Sequence, residues 1–185
     1  DEQMIILSAS IHEKRKGFLN KLMPVFQEYY NIISQGNELV NLEYKSQLNN
    51  HEMRDLLRHA RLKDQVLQYT TVGIHKDDLT LSLGDYPIKK MGSQGQQKTY
   101  LIALKLAQFE FIKKLSDYNP ILLLDDIFDK LDTQRVEQIV HLVSEERFGQ
   151  IFISDTNRDH LDQILSSSDL TYKLFALDGG SVTNL

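Results

Sequence analysis

The stretch Met91-Gly92-Ser93-Gln94-Gly95-Gln96-Gln97-Lys98-Thr99 lies between a predicted hairpin and a predicted long helix. Ser93 and Gln96 have the spacing of a capping box, in which the serine hydroxyl accepts from the amide three residues on and the glutamine reaches back. Gly92 and Gly95 keep side chains away from this helix start, so another molecule can approach the backbone. Free amides and the helix dipole favour phosphate there. The spacing alone is consistent with a well-capped helix start or with an anion site.

A second segment favours the anion site. Four aliphatic residues, Ile121-Leu122-Leu123-Leu124, lead into Asp125-Asp126. Such a run is typical of a strand buried on both faces in a parallel sheet, and ligands bind at the carboxyl edge of such sheets. One carboxylate there can hold Mg²⁺, and the other can orient or deprotonate an attacking water. The alternative is a pair of capping or solvated aspartates, which the buried strand and the following polar turn over residues 129–132 disfavour.

Hydrophobic periodicity predicts two parts: a mainly helical lobe over residues 1–70 and an α/β part with a mainly parallel sheet over residues 71–185. Alternation predicts a hairpin over residues 79–88. The other predicted strands cover residues 40–44, 121–124, 150–154 and 172–177. The predicted helices cover residues 3–35 (with Pro24 as a possible kink), 51–69, 96–116, 133–146 and 158–165. The residues expected to face inward are Leu56, Leu57, Leu62 and Val66 on the second helix and Leu101, Leu104, Ala107, Phe111 and Leu115 on the third.

Composition limits the possible functions. The chain has 185 residues, a net charge of −5 and no cysteine, so disulfides and thiolate metal sites are excluded. Without cysteine, a reducing, cytoplasmic location is expected. Nucleic-acid-binding proteins usually carry a net positive charge, so any DNA contact of this acidic chain would come from local basic patches. No run approaches the roughly 20 apolar residues of a membrane span. The chain starts Asp1-Glu2-Gln3, and we expect it to be part of a longer protein.

The order of signature segment, helix, apolar strand, acidic pair and Leu-Asp turn resembles that of the ABC-type ATPases. The resemblance implies the carboxy-terminal half of an ATPase head. It implies that Ser93, Gly95 and Gln96 contact ATP held by the opposite subunit, that Asp125 serves Mg²⁺ and that Asp126 activates water. It also implies that a dimer loop is formed by Asp129, Leu131 and Asp132.

Within this superfamily, the sequence motifs most resemble those of the RecF family of recombination-mediator ATPases. Residues 91–99, the continuation Ala103-Leu104-Lys105-Leu106-Ala107, the strand 120–126 and the stretch 73–79 are similar to that family's motifs. Ile74 and Lys76 depart from its usual proline and arginine. Transporters place a switch histidine after the strand at residues 151–153, whereas Ser154 is followed here by Asp155 and Thr156, which are the candidate switch residues.

The resemblance further implies partners and cofactors: ATP with Mg²⁺, an ATP-dependent homodimer, gapped or single-strand/double-strand junction DNA, and RecR with RecO so that RecA is loaded near the nucleoid. The chain contains no G-x-x-x-x-G-K-[ST] phosphate loop, so we expect it to bind ATP poorly by itself.

Arg54, Arg58 and Arg61 share a predicted helix face and are candidate DNA contacts, although such runs are usually solvated faces. His75 with Asp77 and Asp78 is a weak candidate for a metal site and is expected instead to orient the hairpin.

Two alternatives to the RecF-like function stay open. One is another chromosome-associated ABC ATPase of the SMC or RecN kind, which the short lobe without sustained heptads disfavours. The other is a catalytically idle module that keeps the fold for protein contacts.

Overall fold

The structure, a computed structural model, describes residues 2–156 and 171–184, and the contacts divide the chain into two compact units, Asp1–Tyr118 and Asn119–Leu185. The boundary that the sequence predicts near residue 70 stays a prediction. The helix predicted over residues 158–165 lies outside the described residues.

The first unit contains four helices and three strands among its described residues. They are α1 Glu2–Ser34, β1 Val40–Lys45, α2 Met53–Leu67, β2 Asp78–Leu83, β3 Tyr86–Pro87, α3 Ile88–Met91 and α4 Gln94–Leu115. The described elements of the second unit are β4 Leu122–Asp125, α5 Thr133–Val143, β5 Ile151–Ser154, β6 Phe175–Asp178 and β7 Ser181–Asn184.

The core of the first unit lies where α1 packs on α4. Phe26 is fully buried, and its ring centroid lies 4.6 Å from that of Tyr100 on α4. Ala103 and Ala107 are also fully buried, and their small side chains let the two helices approach closely. The Tyr29 hydroxyl donates to Glu110 at 3.0 Å, which satisfies a polar group at this seam. Pro24 lies inside α1, which continues through it to Ser34.

Beside this helix pair lies a three-stranded antiparallel sheet in the order β1-β2-β3. The predicted hairpin is confirmed, but its return strand is short. Ile88, predicted to resume that strand, instead begins the single turn of α3 and is 4% exposed. The hairpin thus leads through α3 directly to the start of α4.

The inward faces predicted for two helices are only partly correct. On α2, Leu56 and Leu57 are half-buried, but Leu62 is 78% and Val66 is 81% exposed, whereas Met53 and Ala60 are buried. Leu62 lies about 200° around the helix from Ala60, so the two cannot share a face. On α4, Ala107 is buried as predicted and Leu104 and Phe111 are half-buried, but Leu101 and Leu115 are exposed. The buried stripe also includes Tyr100, Ile102, Ala103, Leu106 and Phe109.

In the second unit β4 and β5 pair in parallel, with Leu122 beside Ile151 and Asp125 beside Ser154. This pair confirms the predicted parallel sheet, whereas β6 and β7 form an antiparallel hairpin through Gly179 and Gly180. β4 was expected to be buried on both faces, and this is wrong for the described structure. Leu122 and Leu124 are buried, but Leu123 between them is 70% exposed, because alternate side chains point to opposite faces.

Helix α5 contributes buried side chains to the core of the second unit. It begins after the cap Asp132 and ends at Val143, earlier than the predicted residue 146, since residues 146–148 form a separate 3-10 turn. Val136 and Ile139 of α5 and Phe148 of that turn are fully buried. Within the parts of the chain that the structure describes, no helix is long and apolar enough to cross a membrane.

Candidate functional site

The signature segment forms a complete capping box at the start of α4. The Ser93 hydroxyl oxygen accepts from the Gln96 amide at 3.2 Å, and the Ser93 amide donates to the Gln96 side-chain oxygen at 2.8 Å. Ser93 is exposed, and α4 extends 22 residues behind it. A serine oxygen that accepts one hydrogen bond keeps its own O–H for donation. The first turn of α4 therefore presents a hydroxyl donor at the positive end of a long helix dipole.

Gly92 is required by the close approach of α3. A Cβ at this position would lie 2.7 Å from both the Ile88 carbonyl oxygen and Ile88 Cγ1. The Gly92 amide donates to the same carbonyl at 2.9 Å, and the Gly92 carbonyl accepts from the Gln97 side chain at 2.9 Å. The glycine thus joins α3 to α4 in a tight corner, which fixes where Ser93 emerges.

The Gln96 side chain connects the signature segment to the protein core. Its amide nitrogen donates to Glu38 Oε1 at 3.0 Å, and Glu38 Oε2 accepts from the Tyr30 hydroxyl at 2.5 Å. Tyr30 is fully buried on α1. No spacing in the sequence indicates a role for Glu38, because it lies 58 residues from Gln96.

The acidic pair lies at the carboxyl end of β4, as predicted, and both aspartates are exposed. Ser154, at the end of the neighbouring β5, bridges them. Its hydroxyl donates to Asp125 Oδ1, and the same oxygen accepts from the Asp126 amide at 3.2 Å. The predictions named Asp155 and Thr156 but missed Ser154. Aligning the carboxyl ends of the two predicted parallel strands would have found it.

Asp126 has a left-handed backbone, with φ of 48°. Residues other than glycine rarely adopt this conformation, although aspartate and asparagine tolerate it best. The following residues, Ile127 and Phe128, are buried and anchor the turn, and the Asp126 amide also donates to the Ser154 carbonyl at 3.2 Å. An exposed acidic residue held in a left-handed backbone conformation is typical of functional positions.

The predicted dimer loop lies directly after Phe128. Asp129 and Lys130 form an exposed ion pair at 3.6 Å, and the half-buried Leu131 donates its amide to the Phe128 carbonyl at 3.3 Å. Asp132 caps α5 by accepting from the Arg135 amide at 2.9 Å. The Asp132 carboxylate therefore has a structural use, and the contribution of this loop to a dimer stays a prediction.

The remaining candidates differ in exposure. Asp155 is half-buried and Thr156 exposed, directly after β5. Arg54, Arg58 and Arg61 are all exposed on α2, and Arg58 pairs with Asp55 at 2.9 Å.

The stretch with His75, Asp77 and Asp78 is organised by an ion pair. Asp77 Oδ2 accepts from Arg15 at 2.9 Å and from the Tyr44 hydroxyl, and Arg15 also donates to the Ile74 carbonyl at 2.8 Å. The Asp77 side chain is 4% exposed. Hydrogen bonding to Tyr44 raises the pKa of Arg15, and burial raises the pKa of Tyr44. Asp77 thus ties α1 and β1 to the start of β2.

A dedicated metal cage is not found: residues 2–156 and 171–184 contain no group of three or more acidic or histidine side chains that could hold an ion. Mg²⁺ commonly binds through one or two carboxylates plus substrate phosphates. Asp125 suits this kind of Mg²⁺ binding, since it is exposed and Ser154 forms its hydrogen bond to Oδ1 only.

Solved structures of other proteins have similar folds. One is the recombination mediator RecF with ATP, which matches the whole chain and 48% of that protein, with a TM-score of 0.74 and 24% identity. Another is an SMC ATPase studied for ATP-driven dimerization, which matches 94% of this chain and 88% of that one, with a TM-score of 0.56 and 17% identity. The fold is that of the ABC-type ATPase heads.

Sequence relatives narrow this class. The DNA replication and repair protein RecF of Phocaeicola vulgatus is 54% identical over 184 residues, 99% of this chain and 50% of the relative. RecF of Parabacteroides distasonis is 55% identical over 172 residues, 93% of this chain and 47% of the relative. No protein-family model matches the chain. The chain belongs to the RecF family, and it spans about half the length of the relatives that it matches.

Proposed function

We propose that the chain supplies the signature segment and the two acidic residues for hydrolysis, Asp125 and Asp126, in a DNA-repair ATPase whose subunits dimerise around ATP. The observation that carries this proposal is the start of α4, where an exposed serine caps a 22-residue helix and keeps a hydroxyl to donate. The γ-phosphate of a nucleotide held by the other subunit is the ligand that such a helix start suits.

Ser93 would donate its hydroxyl to a phosphate oxygen, and the first-turn amides near Gly95 would add partial positive charge. Gln96 would act mainly on Ser93, because its side-chain oxygen already accepts from the Ser93 amide and its nitrogen donates to Glu38. Because these contacts form only when two subunits meet around the nucleotide, ATP would stabilise the dimer by binding that state alone.

Asp125 would hold Mg²⁺, with Ser154 orienting its carboxylate through Oδ1. When bound, the ion would neutralise charge that develops on the transferred phosphoryl group. Asp126 would orient the attacking water and accept its proton, since its left-handed backbone directs it differently from Asp125. Asp129, Leu131 and Asp132 would meet their counterparts across the dimer, and Asp155 and Thr156 would respond to the γ-phosphate.

The full-length protein would bind DNA that has a gap or a single-strand/double-strand junction. It would act there with RecR and RecO, so that RecA is loaded and the DNA is repaired. With a net charge of −5 on this chain, its DNA contacts would be local, and the exposed Arg54, Arg58 and Arg61 on α2 are the candidates.

Two titrations test the proposal. The full-length protein should form dimers as ATP is added, and replacement of Ser93 by alanine should raise the required ATP concentration at least tenfold. The 185-residue chain should bind ATP weakly, because it has no phosphate loop. Tight ATP binding by this chain, or unchanged dimerisation of the Ser93→Ala protein, would refute the proposal.

A further inference from the structure

Four residues form a continuous hydrogen-bonded chain from the core of the first unit to the surface at the start of α4. Tyr30, fully buried on α1, donates its hydroxyl to Glu38 Oε2 at 2.5 Å. Glu38 Oε1 accepts from the Gln96 side-chain nitrogen at 3.0 Å. The Gln96 side-chain oxygen accepts from the Ser93 amide at 2.8 Å. Each bond has a defined donor and a defined acceptor.

The direction of these bonds determines how the Gln96 amide is oriented. Both ends of an amide can form hydrogen bonds, but only the oxygen can accept from the Ser93 amide. An ionised Glu38 carboxylate accepts and does not donate, so it holds the nitrogen of Gln96 and leaves the oxygen for Ser93. Tyr30 in turn fixes the other oxygen of Glu38. The half-buried position of Glu38 strengthens these charge-assisted bonds.

We infer that Glu38 is a positioning residue for the signature serine: through Gln96 it holds Ser93 in the conformation that presents its hydroxyl to phosphate. The inference rests on the proposed function of Ser93, and it adds a residue outside the signature segment on which that function depends. Glu38 lies in the connection between α1 and β1, so the serine's position is tied to the packing of α1.

The donor and acceptor roles can be exchanged, which gives a sharp test in the full-length protein. Gln96→Glu keeps an acceptor for the Ser93 amide, but the new carboxylate lies beside the Glu38 carboxylate and the two repel each other. The double variant Glu38→Gln with Gln96→Glu restores the bond, because the new glutamine donates to the new glutamate and still accepts from Tyr30. Glu38→Ala removes the acceptor altogether.

Two readouts are measured for each variant: amide hydrogen exchange of the peptide over residues 92–99, and the ATP concentration that gives half-maximal dimerisation. Glu38→Ala and Gln96→Glu should each speed exchange at Ser93 and raise that ATP concentration about tenfold. The double variant should recover most of both losses, which a loss of general stability would not produce.

Equal defects in Gln96→Glu and the double variant would overturn the inference, as would Glu38→Ala with wild-type exchange and dimerisation. If Glu38→Ala does not fold, the comparison of Gln96→Glu with the double variant decides alone. Ser93→Ala separates the two proposals: if it dimerises normally, the proposed role of Ser93 fails, while exchange at Ser93 still decides whether Glu38 positions it.

Discussion

Ser154 donates its hydroxyl to Asp125 across the parallel pair of β4 and β5, and this bond joins the last residues of the two strands. The same hydroxyl oxygen accepts from the Asp126 amide at 3.2 Å. One small side chain therefore fixes the proposed Mg²⁺ ligand and the backbone of the proposed general base together.

Replacing Ser154 by alanine should weaken Mg²⁺ use, because Asp125 loses the partner that orients its carboxylate. Loss of such an outer partner commonly costs about tenfold or more in metal affinity. The Mg²⁺ concentration for half-maximal ATP hydrolysis by the full-length protein should rise by about that factor. Ser154→Thr keeps the hydroxyl and serves as the matched control; an unchanged Mg²⁺ requirement in Ser154→Ala would contradict the role.

Asp126→Asn should lower the rate of ATP hydrolysis by about 100-fold or more, because the amide cannot accept a proton. Asparagine tolerates the left-handed backbone at φ 48°, so stability and ATP-dependent dimerisation should be retained. Asp126→Ala should lower hydrolysis equally and also reduce the free energy of unfolding by about 1 kcal/mol through backbone strain. Steady-state hydrolysis and urea unfolding measure both effects. A hydrolysis rate near wild type in Asp126→Asn would eliminate this general base.

Asp77→Ala should destabilise the first unit, since it leaves Arg15 and the Tyr44 hydroxyl without their shared acceptor. The Asp77 side chain is 4% exposed and Arg15 is 44% exposed. We expect a loss of about 2 kcal/mol in the free energy of unfolding by urea. Arg15→Ala should cost less, about 1 kcal/mol, because Tyr44 still donates to Asp77. The reverse order of the two losses would show that Asp77 is not the centre of this cluster.

Stability should fall above pH 10. Burial raises the pKa of Tyr100 and of Tyr44 above their ordinary value of 10.0. A raised folded-state pKa stabilises the fold fully below the unfolded value, and this contribution is lost as the pH rises from 10 toward the folded value. Tyr100 should contribute a slope of about 1.4 kcal/mol per pH unit in that window.

Tyr100→Phe should reduce this alkaline slope. At pH 8 the variant should lose about 1 kcal/mol, because the Tyr100 hydroxyl no longer donates to the Asn41 carbonyl, a bond of 2.8 Å. Urea unfolding at pH 8 and at several values above pH 10 separates the two effects. A slope identical to wild type would mean that Tyr100 does not titrate differently on unfolding.

Local chemistry made part of the site predictable. Ser93 and Gln96 are three residues apart, and both bonds of the predicted capping box form. The parallel pairing of the strands before Asp125 and Ser154 also followed from sequence, since short apolar runs alternate there with helices. These features depend on interactions within a few residues or on strand order alone.

Features that depend on distant partners were not predictable. Periodicity predicts Leu56, Leu57, Leu62 and Val66 on the inward face of α2, yet Leu62 and Val66 are exposed, because periodicity defines a stripe but not which neighbour covers it. Glu38 meets Gln96 across 58 residues. Asp126 has a left-handed backbone directly before the buried Ile127 and Phe128, and no spacing in the sequence reveals this conformation.

Mixing two inactive full-length variants tests most directly whether Ser93 acts on ATP belonging to the partner subunit. Ser93→Ala keeps the hydrolytic acids, and Asp126→Asn keeps the signature serine. In a mixed dimer one composite site regains both residues, so an equimolar mixture should recover about a quarter of the wild-type hydrolysis rate, given random pairing in a twofold dimer. A mixture no more active than the average of the two variants would contradict the account, because Ser93 and Asp126 would then act from the same subunit.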